Sequence, residues 1–235
     1  MSPELLPAIE IDTGATPDAA VIWLHGLGDD GNGWSEVVPA LRMPASARAR
    51  FLFPHAPVMP VTINNGQVMR AWYDIRETDF SHRADIGGVQ RSQAHVEALI
   101  AREKARGIPA SRIALAGFSQ GGAIALYAGL RHPQRLAGIV ALSTYLVAPD
   151  ALAREASPAN RDVPIFMAHG TQDPVVHYRW AEASRQALAS AGYAVEWHTY
   201  PMAHSAAPEE IVAVGQFLAR VLAEPAGGRG PITPR

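Results

Sequence analysis

The stretch RIALAGFSQGGAIALYAG, Arg112 to Gly129, joins two patterns at a sharp corner. Ile113 to Ala116 form a short uncharged apolar run, the pattern of a strand buried on both faces. Ala123 to Gly129 are small and apolar, as in a helix packed closely on a sheet. Between them Gly117-Phe118-Ser119-Gln120-Gly121 fits G-x-S-x-G in its strand–turn–helix setting. A turn this tight strains the serine backbone, and a Cβ two positions to either side would strike the neighbouring strand or helix. The hydroxyl of Ser119 is then held clear at the strand end, and the residue reads as a nucleophile.

Outward from this corner, strands and helices alternate. Ala19–Leu24, Arg50–Phe53, Leu136–Leu142, Val163–Ala168 and Ala194–Tyr200 read as further strands, with Leu5–Ile11 a weaker edge strand because of Pro7. Helices are predicted over 35–41, 89–105 and 178–191, and the apolar spacing of Ile211, Val214, Phe217, Leu218, Val221 and Leu222 predicts a closing one. The glycine-rich segment 25–34, HGLGDDGNGW, reads as a loop. Such alternation predicts an α/β fold, a mostly parallel sheet with helices on both faces. Residues 54–87 are irregular yet carry Met59, Met69, Trp72, Tyr73 and Phe80, too much apolar mass for a linker. They predict a folded excursion over the sheet end, with a strand or hairpin near 68–74. Ser143 to Arg161 reads as a second long connection. One domain is expected over 1–222, with 223–235 a flexible Gly/Pro-rich tail.

Composition narrows the function. With 235 residues the chain is long enough for one sizeable core. Its formal net charge of −2 argues against nucleic acid or an anionic membrane as partner. The absence of cysteine removes disulfides, a thiol nucleophile and thiolate metal sites. The first residues lack a signal peptide's basic start and apolar core, and no run approaches a membrane span. The expected location is the cytoplasm.

In such a sheet ligands sit beyond the C-terminal strand ends, so partners of Ser119 should follow strands, the acid first and the histidine last. Asp150 lies inside a long connection and Asp162 precedes a strand. Asp173, in HGTQDPV, follows one and is the best placed, although a turn aspartate before Pro174 is the plain structural alternative. His177 opens the next helix and His198 lies within the last strand. His204 falls in the loop after that strand, where an imidazole can swing over the sheet end. The expected set is Ser119, Asp173 and His204. Two backbone donors should receive the charge developing on a substrate oxygen: Gln120 N–H and, from the glycine-rich loop, Leu27 N–H. Because these are backbone groups, the side chains of Leu27 and Gln120 are expected to be replaceable. His25 and His169 are read as holding loop backbone. With no third ligand at metal spacing, neither metal nor cofactor is expected.

The segments WLHGLGDDGNGW (23–34), MRAWYDI (69–75), ADIGGVQRS (84–92), RIALAGFSQGGAIAL (112–126), ALSTYL (141–146), HGTQDPVV (169–176) and the His204 loop resemble the carboxylesterases and lysophospholipases that include the acyl-protein thioesterases, within the α/β-hydrolase fold. The resemblance runs in family order to about Leu222. It implies the same three catalytic positions and the same two donors. It further implies an acyl-binding groove lined by Met69, Trp72 and Tyr73, without a large cap domain. Ala203 stands where relatives often have glycine, and His177 where proline is common.

The expectation is therefore a serine hydrolase that cleaves carboxylic esters of short to medium acyl chains through an acyl-serine intermediate. An acyl-protein thioester or a lysophospholipid is the alternative substrate. A non-catalytic binding module on the same fold would lack a triad member or an oxyanion glycine, and an acyltransferase would pass its acyl group to an alcohol. An apolar rim around the groove could support a homodimer.

Overall fold

The computed structural model describes residues 5–77 and 85–223. The elements in chain order are β1 (Ala8–Asp12), β2 (Ala19–Leu24), α1 (Gly31–Ser35), α2 (Val37–Ala40), β3 (Ala49–Pro54), β4 (Val58–Val61), β5 (Gln67–Arg70), α3 (Ile86–Ala105), β6 (Ile113–Phe118), α4 (Gln120–Arg131), β7 (Gly138–Leu142), α5 (Pro149–Glu155), β8 (Ile165–Gly170), α6 (Tyr178–Ser190), β9 (Val195–Tyr200) and α7 (Pro208–Val221).

Seven strands form one sheet in the order β1-β3-β2-β6-β7-β8-β9, all neighbours parallel except the edge strand β1, which runs antiparallel to β3. Every residue of β2 is buried. Its alternation divides them between two cores: Ala20, Ile22 and Leu24 face α3 and α4, whereas Ala19, Val21 and Trp23 face Val214, Phe217 and Leu218 of α7. A run without polar alternation is what a strand covered on both faces requires. Burying each large side chain of these layers contributes about 1.5–3 kcal/mol.

Four expectations shift. The glycine-rich segment is not all loop, because Asp30 accepts a hydrogen bond from Asn32 N–H and starts α1 at Gly31. The helix expected over 35–41 is accordingly split at Glu36 into two short pieces. The excursion forms its hairpin earlier than 68–74, from β4 and β5 with Val58 opposite Arg70. The long connection after β7 contains α5. On α3, Glu103 shares the buried side with Val96, Leu99 and Ile100, and is satisfied there by Arg50, Arg102 and Arg106. Phe80 and residues 224–235 of the expected tail lie outside the described residues. Among the described residues no helix is long and apolar enough to cross a membrane.

Candidate active site

Ser119 occupies the single residue between β6 and α4, with φ 54° and ψ −120°. That is a positive φ at a residue with a Cβ, held because its neighbours leave no other path. Its N–H donates to Leu142 O at 2.8 Å, and its carbonyl accepts from Thr144 Oγ1 at 2.6 Å. A Cβ on Gly117 would overlap the backbone of Gly121, and one on Gly121 would overlap the carbonyl oxygens of Leu24 and His25. The glycines thus permit the close approach of β6, α4 and the end of β2.

Two other loops reach the same corner. Asp173 follows β8, and its Oδ1 accepts from Val175 N–H at 2.8 Å and Val176 N–H at 2.9 Å. His204 lies between β9 and α7. The two loops are joined by Thr171 N–H to Tyr200 O and Gln172 N–H to Met202 O. His204 Nδ1 lies 2.7 Å from Asp173 Oδ2, and its Nε2 lies 3.0 Å from Ser119 Oγ. A carboxylate only accepts, so Nδ1 carries the proton and Nε2 is left free to accept from the serine hydroxyl. Burial alone would raise the Asp173 carboxyl. The His204 hydrogen bond and charge, with the two backbone N–H groups, outweigh burial and hold it below its ordinary value.

Two other histidines, His25 and His169, hold backbone. His25 Nε2 accepts from Ala56 N–H at 3.0 Å while Nδ1 donates to Gly26 O at 2.7 Å. His169 Nε2 donates to Val176 O at 2.7 Å, bracing the turn that carries Asp173. Burial lowers the pKa of both, so they are neutral at pH 7. His177 is exposed at the start of α6, and His198 stacks on Phe166. Among the described residues no group of three or more His, Asp or Glu gathers as metal ligands.

Ser119, His204, Leu27 and Gln120 open onto one cavity of about 480 Å³. Its apolar walls are Trp34, Ile75, Phe118, Tyr145, Val175 and Val176. Here the structure corrects the sequence reading. Trp72 and Tyr73 are buried beneath the surface and do not line the cavity. Their polar groups point into the protein: Trp72 Nε1 donates to His25 O at 2.9 Å, and the Tyr73 hydroxyl meets that of Tyr145 at 2.6 Å. Met69 packs over Gly28 of the glycine-rich loop rather than in the cavity wall. The Gln120 side chain is not idle either, since it bonds Trp72 N–H at 2.8 Å and Tyr73 O at 2.7 Å. Ile75, two residues past Tyr73, was the wall residue of that segment. Phe118, Tyr145 and Val175 each lie inside a quoted motif, but which side chain of a motif faces a cavity depends on how the loops stack.

Comparisons with known proteins agree with this architecture. Residues 8–222 match the model of the phospholipase/carboxylesterase family. An acyl-protein thioesterase 1 from Neurospora crassa is 45% identical, the match covering 92% of this chain and 90% of that protein. The crystal structure of acyl-protein thioesterase 2 from Zea mays superposes with a TM-score of 0.81 at 32% identity, covering 92% of this chain and 99% of the other. Arabidopsis thaliana SOBER1 gives a TM-score of 0.82 at 32% identity, over 87% and 99% of the two chains. With an α/β-hydrolase sheet and a family match across nearly its whole described length, the chain belongs to the phospholipase/carboxylesterase family of hydrolases.

Proposed function

We propose that the protein is a serine hydrolase of acyl thioesters, with Ser119 as nucleophile, His204 as general base and acid, and Asp173 as the group that orients and stabilises His204. The observation that carries the reading is the pair of contacts on one imidazole, 2.7 Å to Asp173 and 3.0 Å to Ser119 Oγ. His204 Nε2 takes the hydroxyl proton as Ser119 Oγ attacks the substrate carbonyl carbon. The carbonyl oxygen becomes an oxyanion facing Leu27 N–H and Gln120 N–H. Collapse breaks the bond to the leaving group, which departs as a thiol after receiving the proton from His204. Water, deprotonated by His204, then attacks the acyl-Ser119, releasing a carboxylic acid and restoring the hydroxyl.

An ester and a thioester require the same apparatus, and the residues alone put a short- to medium-chain carboxylic ester first. The names borne by the relatives move the weight to thioesters, and an acyl group on a protein is the substrate class those names support. The apolar walls Trp34, Ile75, Phe118 and Val175 suit an acyl chain. Oxygen and sulfur esters of matched acyl length, assayed in parallel, test the reading. A higher kcat/KM for the sulfur series, lost in Ser119→Ala, is expected. Preference for oxygen esters would return the carboxylesterase reading. Failure of a fluorophosphonate to label Ser119 in the folded protein would favour a binding module.

A further inference from the structure

Gln120 touches the corner in two ways. Its backbone N–H begins α4 beside Ser119, while its carboxamide is wholly buried on the other side. That carboxamide pairs like a short piece of strand: Oε1 accepts from Trp72 N–H at 2.8 Å and Nε2 donates to Tyr73 O at 2.7 Å. Ser92 Oγ holds the Trp72 carbonyl from α3. The Trp72 indole N–H then donates to His25 O at 2.9 Å. The imidazole of His25, fixed by Ala56 N–H on Nε2, donates from Nδ1 to Gly26 O at 2.7 Å. The Gly26 carbonyl and the Leu27 N–H belong to one trans peptide, so they point in opposite directions. Holding the oxygen therefore aims the N–H.

We infer that the buried Gln120 carboxamide is a positioning residue that sets the Leu27 donor through Trp72 and His25, so that one residue governs both oxyanion donors. The inference rests on the roles given to Ser119, Leu27 and Gln120 under Proposed function. A glutamine that merely fills space would tolerate any isostere at every pH. A positioning glutamine must both donate and accept.

Gln120→Glu separates these cases. An ionised glutamate accepts from Trp72 N–H with one oxygen but sets the other against Tyr73 O, whereas the protonated acid restores the donor. Acylation is read as the pre-steady-state burst with p-nitrophenyl butyrate, and each rate is divided by that of wild type at the same pH, which removes the pH dependence the two proteins share. The ratio is expected to be roughly 0.01 at pH 8, the loss typical of one oxyanion donor, and to climb as the pH falls toward 5.5. KM should change little, since the lost interaction belongs to the transition state. Trp72→Phe, which keeps a six-membered aromatic ring but loses the pyrrole half of the indole and with it the bond to His25 O, is expected to slow acylation about tenfold with KM unchanged. Fluorophosphonate labelling of wild type separates the two levels of the reading. A labelled, bursting wild type with a pH-independent Gln120→Glu ratio overturns this inference alone. If Gln120→Glu does not fold, Trp72→Phe at the wild-type rate overturns it. An unlabelled wild type removes the functional reading and this inference with it.

Discussion

His204 and Asp173 are 31 residues apart in the chain and 2.7 Å apart in the structure, Nδ1 to Oδ2. The side chain of Asp173 is fully buried and also takes two backbone N–H groups, so it can hold the imidazole in only one tautomer. Asp173→Asn keeps the shape and reverses the preference, and should lower kcat by about 10⁴. Steady-state kinetics with a p-nitrophenyl ester check this, and activity within tenfold of wild type would remove Asp173 from the site.

The same carboxyl links stability to acid. Its folded pKa lies below the ordinary 3.8, so its contribution is present above that value and disappears as the pH falls through the folded one. The difference in Tm between wild type and Asp173→Asn should stay constant from pH 8 to 5 and shrink below pH 3.8.

Glu210 has the opposite sign. It is fully buried on α7 just beyond the His204 loop, and burial raises its carboxyl to about 7, against a weaker lowering by the Ala207 N–H. Between its ordinary 4.5 and 7 the folded state binds a proton that the unfolded chain has released, so stability falls as the pH rises through that window. Glu210→Gln should be more stable than wild type at pH 8.5 by on the order of 2–3 kcal/mol, with the gain vanishing below pH 4.5. Urea unfolding at the two pH values measures the difference; an equal gain at both would show that ionisation is not its cause.

Ser119 stores strain as well as chemistry. Ser119→Ala retains the Cβ at φ 54° and should abolish turnover with little change in stability. Ser119→Gly removes the Cβ and should raise stability by about 1 kcal/mol while remaining inactive. Chemical denaturation of both variants tests the pair.

At Gly121 any side chain meets the carbonyl oxygens of Leu24 and His25, at the end of β2 and the start of the glycine-rich loop. Gly121→Ala should cost about 3 kcal/mol, read as a lower urea midpoint.

Among the described residues of the excursion, Ile75 lines the cavity. Ile75→Trp should cut kcat/KM for long acyl chains by about tenfold, leaving acetyl esters within twofold. A uniform loss across chain lengths would place the acyl chain elsewhere.

The alternation of strands and helices and the corner at Ser119 were legible because each rests on local chemistry. A doubly buried strand such as β2 must be continuously apolar, and a turn as tight as 117–121 must contain glycine. The order of Asp173 and His204 after strands was likewise written in the chain. What the linear pattern misassigned were residues whose roles depend on the way loops stack. Trp72 and Tyr73 were expected as groove walls because the family resemblance implied it, yet their polar atoms find partners on His25 and Tyr145 once the excursion folds over the sheet end. Gln120 looked replaceable because its backbone seemed sufficient, yet its carboxamide closes on a segment 47–48 residues away. Composition and periodicity determine which faces must be buried. Only three-dimensional packing decides which buried polar group meets which, because hydrogen bonds between distant segments leave no spacing in the chain to be read.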